Sequence, residues 1–244
     1  MNPVLESVIS TKTFVNGKNE TITIHSETSK EKCVFLQQLI SKNKCKRSLE
    51  IGFAYGISTL AILEEITSNG GCHFVIDKFQ TLDWGGNGLE LVKKAGYIDS
   101  LEFEEEYCYS VLPKLLEQGR IFDFVYIDST KQLDWLLMNF FYIDKLLSIN
   151  GIIVFDDVPF PGIRKLLRYI VQFPNYSVHS QFPSNKPPSS ARRLAGILKL
   201  LPGAKHIIKE EILNSDFKLG INASAVALIK IGEDTRNWEW HKPF

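Results

Sequence analysis

Residues 49–58 read Leu49-Glu50-Ile51-Gly52-Phe53-Ala54-Tyr55-Gly56-Ile57-Ser58: an apolar strand run that breaks at a glycine turn and enters a helical run. Gly52 and Gly56 permit a tight turn and a close approach of backbone to a ligand. The helix that opens there points its first N–H groups at whatever the turn holds. This is not the dinucleotide pattern GxGxxG, because a third glycine is missing and Glu50 precedes the first. A carboxylate at that place repels a pyrophosphate and suits a cationic ligand or an ammonium group.

Outward from this turn, strands and helices alternate. Strand-like runs occupy 47–53, 72–79, 100–107, 122–129 and 151–158, with helical runs at 57–67, 87–96, 109–118 and 131–148 between them. A helical run at 29–42 precedes the first strand, and another at 162–172 follows the fifth. Such alternation implies βαβ crossovers and an α/β fold with a doubly wound, mainly parallel sheet. After residue 173 the pattern changes. Strand-like stretches at 175–182 and 223–231 predict an antiparallel hairpin at the sheet edge, so that the C-terminal strand runs against its neighbours. Residues 1–244 are expected to form a single domain. Its N-terminal arm is 1–28, with a short hairpin near Asn16-Gly17. Residues 183–193 are Pro/Ser-rich and basic, and the loop 183–203 reads as a lid, followed by a helical stretch around 204–213.

Composition narrows the function. Twenty-eight basic residues balance 28 acidic ones, which gives no basic excess for a nucleic-acid partner. No apolar run is long enough to span a bilayer, and MNPVLESVIS has no basic stretch leading into an apolar core, so neither a membrane span nor a signal peptide is expected. Cys33, Cys45, Cys72 and Cys108 lack zinc-site spacing and fit a reducing, cytoplasmic setting.

In an open α/β sheet ligands sit beyond the carboxyl ends of the strands. The second strand ends at Asp77, an acid placed to accept from both ribose hydroxyls. Glu50, Gly52, Gly56 and Asp77 together favour an adenosyl cofactor carrying positive charge, and S-adenosylmethionine has both a sulfonium and an ammonium. The fourth strand ends at Asp128 and the fifth at Asp156-Asp157. Three carboxylates at one sheet edge repel one another, and a divalent cation such as Mg²⁺ relieves that cost. The other reading of Asp156 and Asp157 is as caps for the helix beginning near Pro161. Asp123, at a strand start, is given no chemical role. Lys131 follows three residues after Asp128; partly desolvated beside a cation, its pKa falls and it can take a hydroxyl proton. His73 lies in a strand and reads as structural.

LEIGFAYGIS resembles motif I of class I S-adenosylmethionine-dependent methyltransferases, especially the catechol O-methyltransferase-like group, with Glu50, Gly52, Gly56 and Ser58 in place. IDKFQTLDWGGNGLELVKKAGY resembles the corresponding stretch of bacterial small-molecule (sugar) O-methyltransferases; Lys78 replaces a proline, while Asp77 and Gln80 stay. Tyr107-Cys108-Tyr109 falls where that family contacts adenine, with Cys108 at a usual serine position. RNWEWHKPF is similar to the closing signature of the bacterial group. The resemblance implies a Rossmann-like fold and a cofactor site made by Glu50, Gly52, Phe53, Ala54, Gly56, Ser58, Asp77, Gln80, Tyr107, Cys108 and Asp128. It also implies metal ligands Asp128, Asp156 and Asp157, a catalytic Lys131, and a small-molecule hydroxyl acceptor such as a sugar or catechol-like diol. Three other functions compete: a metal-independent methyltransferase, an NAD-type oxidoreductase, and a non-catalytic adenosyl-ligand binding protein. A homo-oligomer is compatible with all of them.

Overall fold

The computed structural model describes residues 1–25, 28–183 and 215–242. The chain begins with α1 (Pro3–Thr11), where the Asn2 side chain caps Val4 N–H and Pro3 occupies the first turn. The hairpin expected near Asn16-Gly17 is present as β1 (Thr13–Val15) and β2 (Thr21–Thr23), paired antiparallel. Ser29 then caps α2 (Lys30–Asn43), which buries Cys33, Leu36, Leu39 and Ile40 at helical spacing.

The alternating part follows as β3 (Arg47–Ile51), α3 (Ile57–Ser68), β4 (Cys72–Ile76), α4 (Asn87–Lys94), β5 (Leu101–Glu104), α5 (Cys108–Glu117), β6 (Phe122–Ile127), α6 (Leu133–Leu146), β7 (Leu147–Phe155) and α7 (Pro161–Ile170). The tail adds β8 (Tyr176–Phe182) and β9 (Ala225–Lys230). Seven strands form one sheet in the order β5-β4-β3-β6-β7-β9-β8. The pairs from β5 across to β7 are parallel, and β9 runs antiparallel to both β7 and β8. The doubly wound α/β class and the antiparallel C-terminal strand are therefore observed. The expected helical stretch at 204–213 lies outside the described residues, as does the expected lid loop apart from Pro183. Among the described residues no helix is long and apolar enough to cross a membrane.

Side-chain parity along the central strands decides what meets what. Leu49 and Ile51 of β3, Val125 and Ile127 of β6, and Ile153 and Phe155 of β7 pack with α5, α6 and α7 on one face. Phe124, Tyr126, Ile152 and Val154 face the other way, against α2 and α3. Glu50 and Asp156 keep the parity of that second face, so their carboxylates are directed toward the α2/α3 layer. The order of connection reverses at β3, with β4 on one side and β6 on the other. The crevice of an open α/β sheet forms at such a reversal.

Candidate active site

A cleft of about 720 Å³ lies at this reversal, lined by the turn after β3 and the ends of β4, β6 and β7. Gly52 sits at φ +100, and a Cβ there would collide with the carbonyl oxygen of Asp128. Glycine is thus required for the β3 turn to pass beneath the end of β6. Asp77 holds the turn from the opposite side. Its Oδ2 accepts from the N–H of Phe53 (2.8 Å) and of Ala54 (3.1 Å), and Oδ1 accepts from Phe79 N–H (2.8 Å). Asp77 still lines the cleft, with Phe53, Ala54 and Ser58 beside it.

Two residues expected at the ligand face inward instead. Glu50 is wholly buried and absent from the cleft wall. Its Oε1 accepts from Ser58 Oγ at 2.5 Å; Oε2 accepts from Thr59 Oγ1 at 2.6 Å and meets His73 Nε2 at 2.9 Å. Its carboxylate clamps the first turn of α3 to β4 rather than meeting an ammonium. Gln80 is also wholly buried; it donates to the Ala54 carbonyl (2.9 Å) and accepts from Gly88 N–H (3.0 Å). Both brace the turn from behind. His73, bonded also to Ser48 Oγ (2.8 Å), has the structural place expected of it, and Asp123 accepts from the N–H groups of Lys46 and Arg47 at the start of β6.

An aromatic wall closes the cleft beside Asp77. Tyr107 lies at the start of α5, with Cys108 as the first helical residue. The Tyr107 ring is 6.0 Å from Phe79 and 6.1 Å from Trp135, and it stacks on Tyr109 at 5.0 Å. Flat π-faces next to a carboxylate suit a planar base joined to a sugar. Cys108, Tyr107, Phe79 and Trp135 all border the cleft. Tyr55 and Trp84 form another part of the rim, with His25 of the N-terminal arm packed against them.

The acidic residues converge at the ends of β6 and β7. Lys131 Nζ reaches Asp128 Oδ1 at 2.8 Å and Asp157 Oδ2 at 2.9 Å, so these two oxygens lie within about 6 Å of each other. Lys131 is not on a helix, because α6 starts at Leu133 with Gln132 as its cap. The lowered pKa expected beside a cation is not what its protein partners alone produce. Burial pulls the ammonium down, but Asp128 and Asp157 together outweigh burial and leave Lys131 above the ordinary lysine value. Burial raises the Asp128 carboxyl, against the pull of Lys131 and with help from Asp156.

Asp156 departs most from the expected metal set. Lys32 Nζ, from α2, meets both its oxygens, at 2.6 and 2.7 Å. Tyr126 Oη donates to Oδ2 at 2.5 Å and Asp157 N–H donates to Oδ1 at 2.7 Å. A carboxylate offers about four lone-pair positions, and all are used. Among the described residues no group of three or more His, Cys, Asp or Glu side chains is arranged to hold a metal ion. The hard oxygens of Asp128 and Asp157 do match a divalent cation in chemistry, since Lys131 engages only one oxygen of each. Lys32 was not anticipated from the sequence. The signal for it is a basic residue in the first turn of a helix, where the helix dipole disfavours positive charge.

The sequence and fold correspond to known proteins. An O-methyltransferase family model matches residues 9–165. Caffeoyl-CoA O-methyltransferase 1 of Eucalyptus globulus is 28% identical over 161 residues, covering 60% of this chain and 62% of its own length. Caffeoyl-CoA O-methyltransferase 1 of Nicotiana tabacum is 29% identical over 162 residues, 60% of this chain and 64% of that one. The chain thus matches a little under two thirds of these relatives' length. In fold, it superposes on an O-methyltransferase from Bacillus cereus in complex with SAH with TM-score 0.64 and 20% identity, covering 94% and 92% of the two chains. It also superposes on the O-methyltransferase TomG of Streptomyces achromogenes, involved in tomaymycin synthesis and solved with SAM, with TM-score 0.60 and 16% identity over 84% and 82%. With a glycine turn anchored by Asp77 at the β3 end and a lysine-bridged acidic cluster beside it, this chain belongs to the O-methyltransferase family.

Proposed function

We propose that this protein is a cytoplasmic S-adenosylmethionine-dependent O-methyltransferase acting on a small-molecule hydroxyl, a sugar or catechol-like diol, with a divalent cation, Mg²⁺ by its donor set, assisting at Asp128 and Asp157. The observation that carries this is the meeting, in one cleft, of the Asp77-anchored turn and the Asp128–Lys131–Asp157 cluster. Asp77 and the Tyr107 wall orient an adenosyl group, and the N–H groups that open α3 face the anionic end of its amino-acid tail. S-adenosylmethionine supplies an electrophilic methyl group, and a cation supplies Lewis acidity toward a bound hydroxyl. The chain's own contribution is orientation, worth several orders of magnitude in rate when reacting atoms are held in line. Lys131 Nζ is the proton-exchanging group at that end of the cleft. The two carboxylates keep it an ammonium while they face it, so its capacity to accept a proton grows as either partner is drawn away. Free thiols at all four cysteines agree with a reducing compartment.

A second reading is favoured by one observation. Lys32 and Lys131 already offset two of the three carboxylate charges, which leaves a metal-independent transfer open to the same residues. Methyl transfer from labelled S-adenosylmethionine to a panel of catechols and sugar diols, with and without chelator, tests both. Transfer abolished by chelator and restored by Mg²⁺ supports assistance by a cation. Transfer indifferent to chelator selects the metal-independent form, and no transfer to any hydroxyl together with transfer to another acceptor atom rejects O-methylation.

A further inference from the structure

We infer that Lys32 is a positioning residue that withdraws Asp156 from cation binding and so restricts the acidic cluster to two available carboxylates, Asp128 and Asp157. This rests on the cation-assisted form of the proposed function. The grounds are in the packing. Parity along β6 and β7 turns Tyr126 and Asp156 toward α2, and the Ser29 cap fixes the first turn of α2 over them. Lys32 extends from that turn with its side chain only 16% exposed, against 3% for Asp156. An ammonium at 2.6 and 2.7 Å from both oxygens of so enclosed a carboxylate is not a solvated surface pair. With Tyr126 Oη and Asp157 N–H taking the remaining positions, Asp156 has no lone pair to give. Asp157 differs: it meets Lys131 through one oxygen, and its side chain is 41% exposed. Adjacent acids on one strand end therefore have separate duties. Both border the cleft, but Asp156 fixes α2 to β7 through Lys32 while Asp157 meets Lys131.

Cation affinity depends on how many charged oxygens can reach the ion. Removing the Lys32 amine frees the pair of oxygens on Asp156. The test uses Mn²⁺ as the probe, followed by calorimetry and by its electron paramagnetic resonance signal on the full chain, with circular dichroism to confirm folding. Lys32→Met is expected to tighten Mn²⁺ about tenfold or more, the low end of what outer partners contribute at metal sites. In the otherwise unaltered chain, Asp157→Asn is expected to weaken Mn²⁺ by about tenfold, and Asp156→Asn to change it by less than about threefold. If Lys32→Met does not fold, Lys32→Gln carries the same expectation, and the Asp156/Asp157 comparison stands independently of it. Equal affinity in the unaltered chain and the Lys32 variants overturns the inference and leaves the cation-assisted function intact. So does an Asp156→Asn loss as large as that of Asp157→Asn. Binding only after Lys32 is replaced overturns cation assistance in the native protein and, with it, the two-carboxylate site inferred here. Failure of every form to bind Mn²⁺ overturns both.

Discussion

Glu50→Gln separates a brace from a ligand. The change keeps the side chain's shape and exchanges one acceptor oxygen for an NH₂ group. In the native protein Glu50 takes three contacts, from Ser58 Oγ, Thr59 Oγ1 and His73 Nε2, in a site with no exposure to solvent. Gln can serve the hydroxyl at its remaining oxygen, and the other hydroxyl can rotate to accept. Any N–H facing the new NH₂ is left without an acceptor. Each hydrogen bond to a charged group contributes about 1.5–3 kcal/mol, and relief from burying a charge offsets part of the loss. A net destabilisation of about 2–4 kcal/mol follows, or a fall in Tm of roughly 5–15 °C for a chain this long. Thermal and urea unfolding measure it. S-adenosylhomocysteine titration, well below the melting range, reads the other half: affinity should fall by less than about tenfold, because the carboxylate does not border the cleft. Stability unchanged within about 0.5 kcal/mol, with affinity lost more than a hundredfold (about 2.7 kcal/mol), would refute the inward placement and restore Glu50 as a contact to the ligand.

Three further outcomes are expected. Lys131→Met should lower turnover by roughly 10²–10⁴-fold, as for other positioned acid–base groups, with little change in S-adenosylhomocysteine affinity; near-normal turnover with chemistry rate-limiting would make Lys131 only a partner for the two acids. Burial pushes the Cys33 and Cys45 thiols from 9.0 up to about 12, so native protein should resist alkylation at these two sites at pH 8 while urea-unfolded protein reacts. Between pH 9 and about 12 the folded chain keeps protons that the unfolded chain has lost. Stability should therefore fall as pH rises through that window, by at most about 1.4 kcal/mol per pH unit for each thiol, and urea midpoints across it provide the check.

The parallel sheet was legible because its strands are short apolar runs ending at Gly52, Asp77, Asp128 and Asp156, and each of those ends borders or supports the cleft. Helix α1 was less visible, since residues 1–27 are polar on average. Its signals were local: Asn2 as cap, Pro3 in the first turn, and Leu5 and Val8 on one face. Side-chain direction was the harder problem. Glu50 and Gln80 occupy positions that the family resemblance assigns to the ligand, yet their partners lie on α3, β4 and α4, which a linear pattern does not specify. Parity did contain part of the answer. Tyr126 and Asp156 fall on the same face as Phe124 and Val154, toward α2, where Lys32 waits. The raised pKa of Lys131 was out of reach for another reason: it depends on two carboxylates from different strands meeting one ammonium.

The measurement that tests the central claim most directly is calorimetric titration of the unaltered chain with S-adenosylhomocysteine, with NAD as the competing ligand. The turn anchored by Asp77 and the Tyr107 wall predict roughly micromolar binding of the adenosyl compound and none of NAD. Bound at a hundredfold excess over its Kd, S-adenosylhomocysteine should stabilise the fold by about 2.7 kcal/mol. Clear binding of NAD, with no heat and no stabilisation from S-adenosylhomocysteine or S-adenosylmethionine, would contradict the assignment of the cleft to a methyl donor.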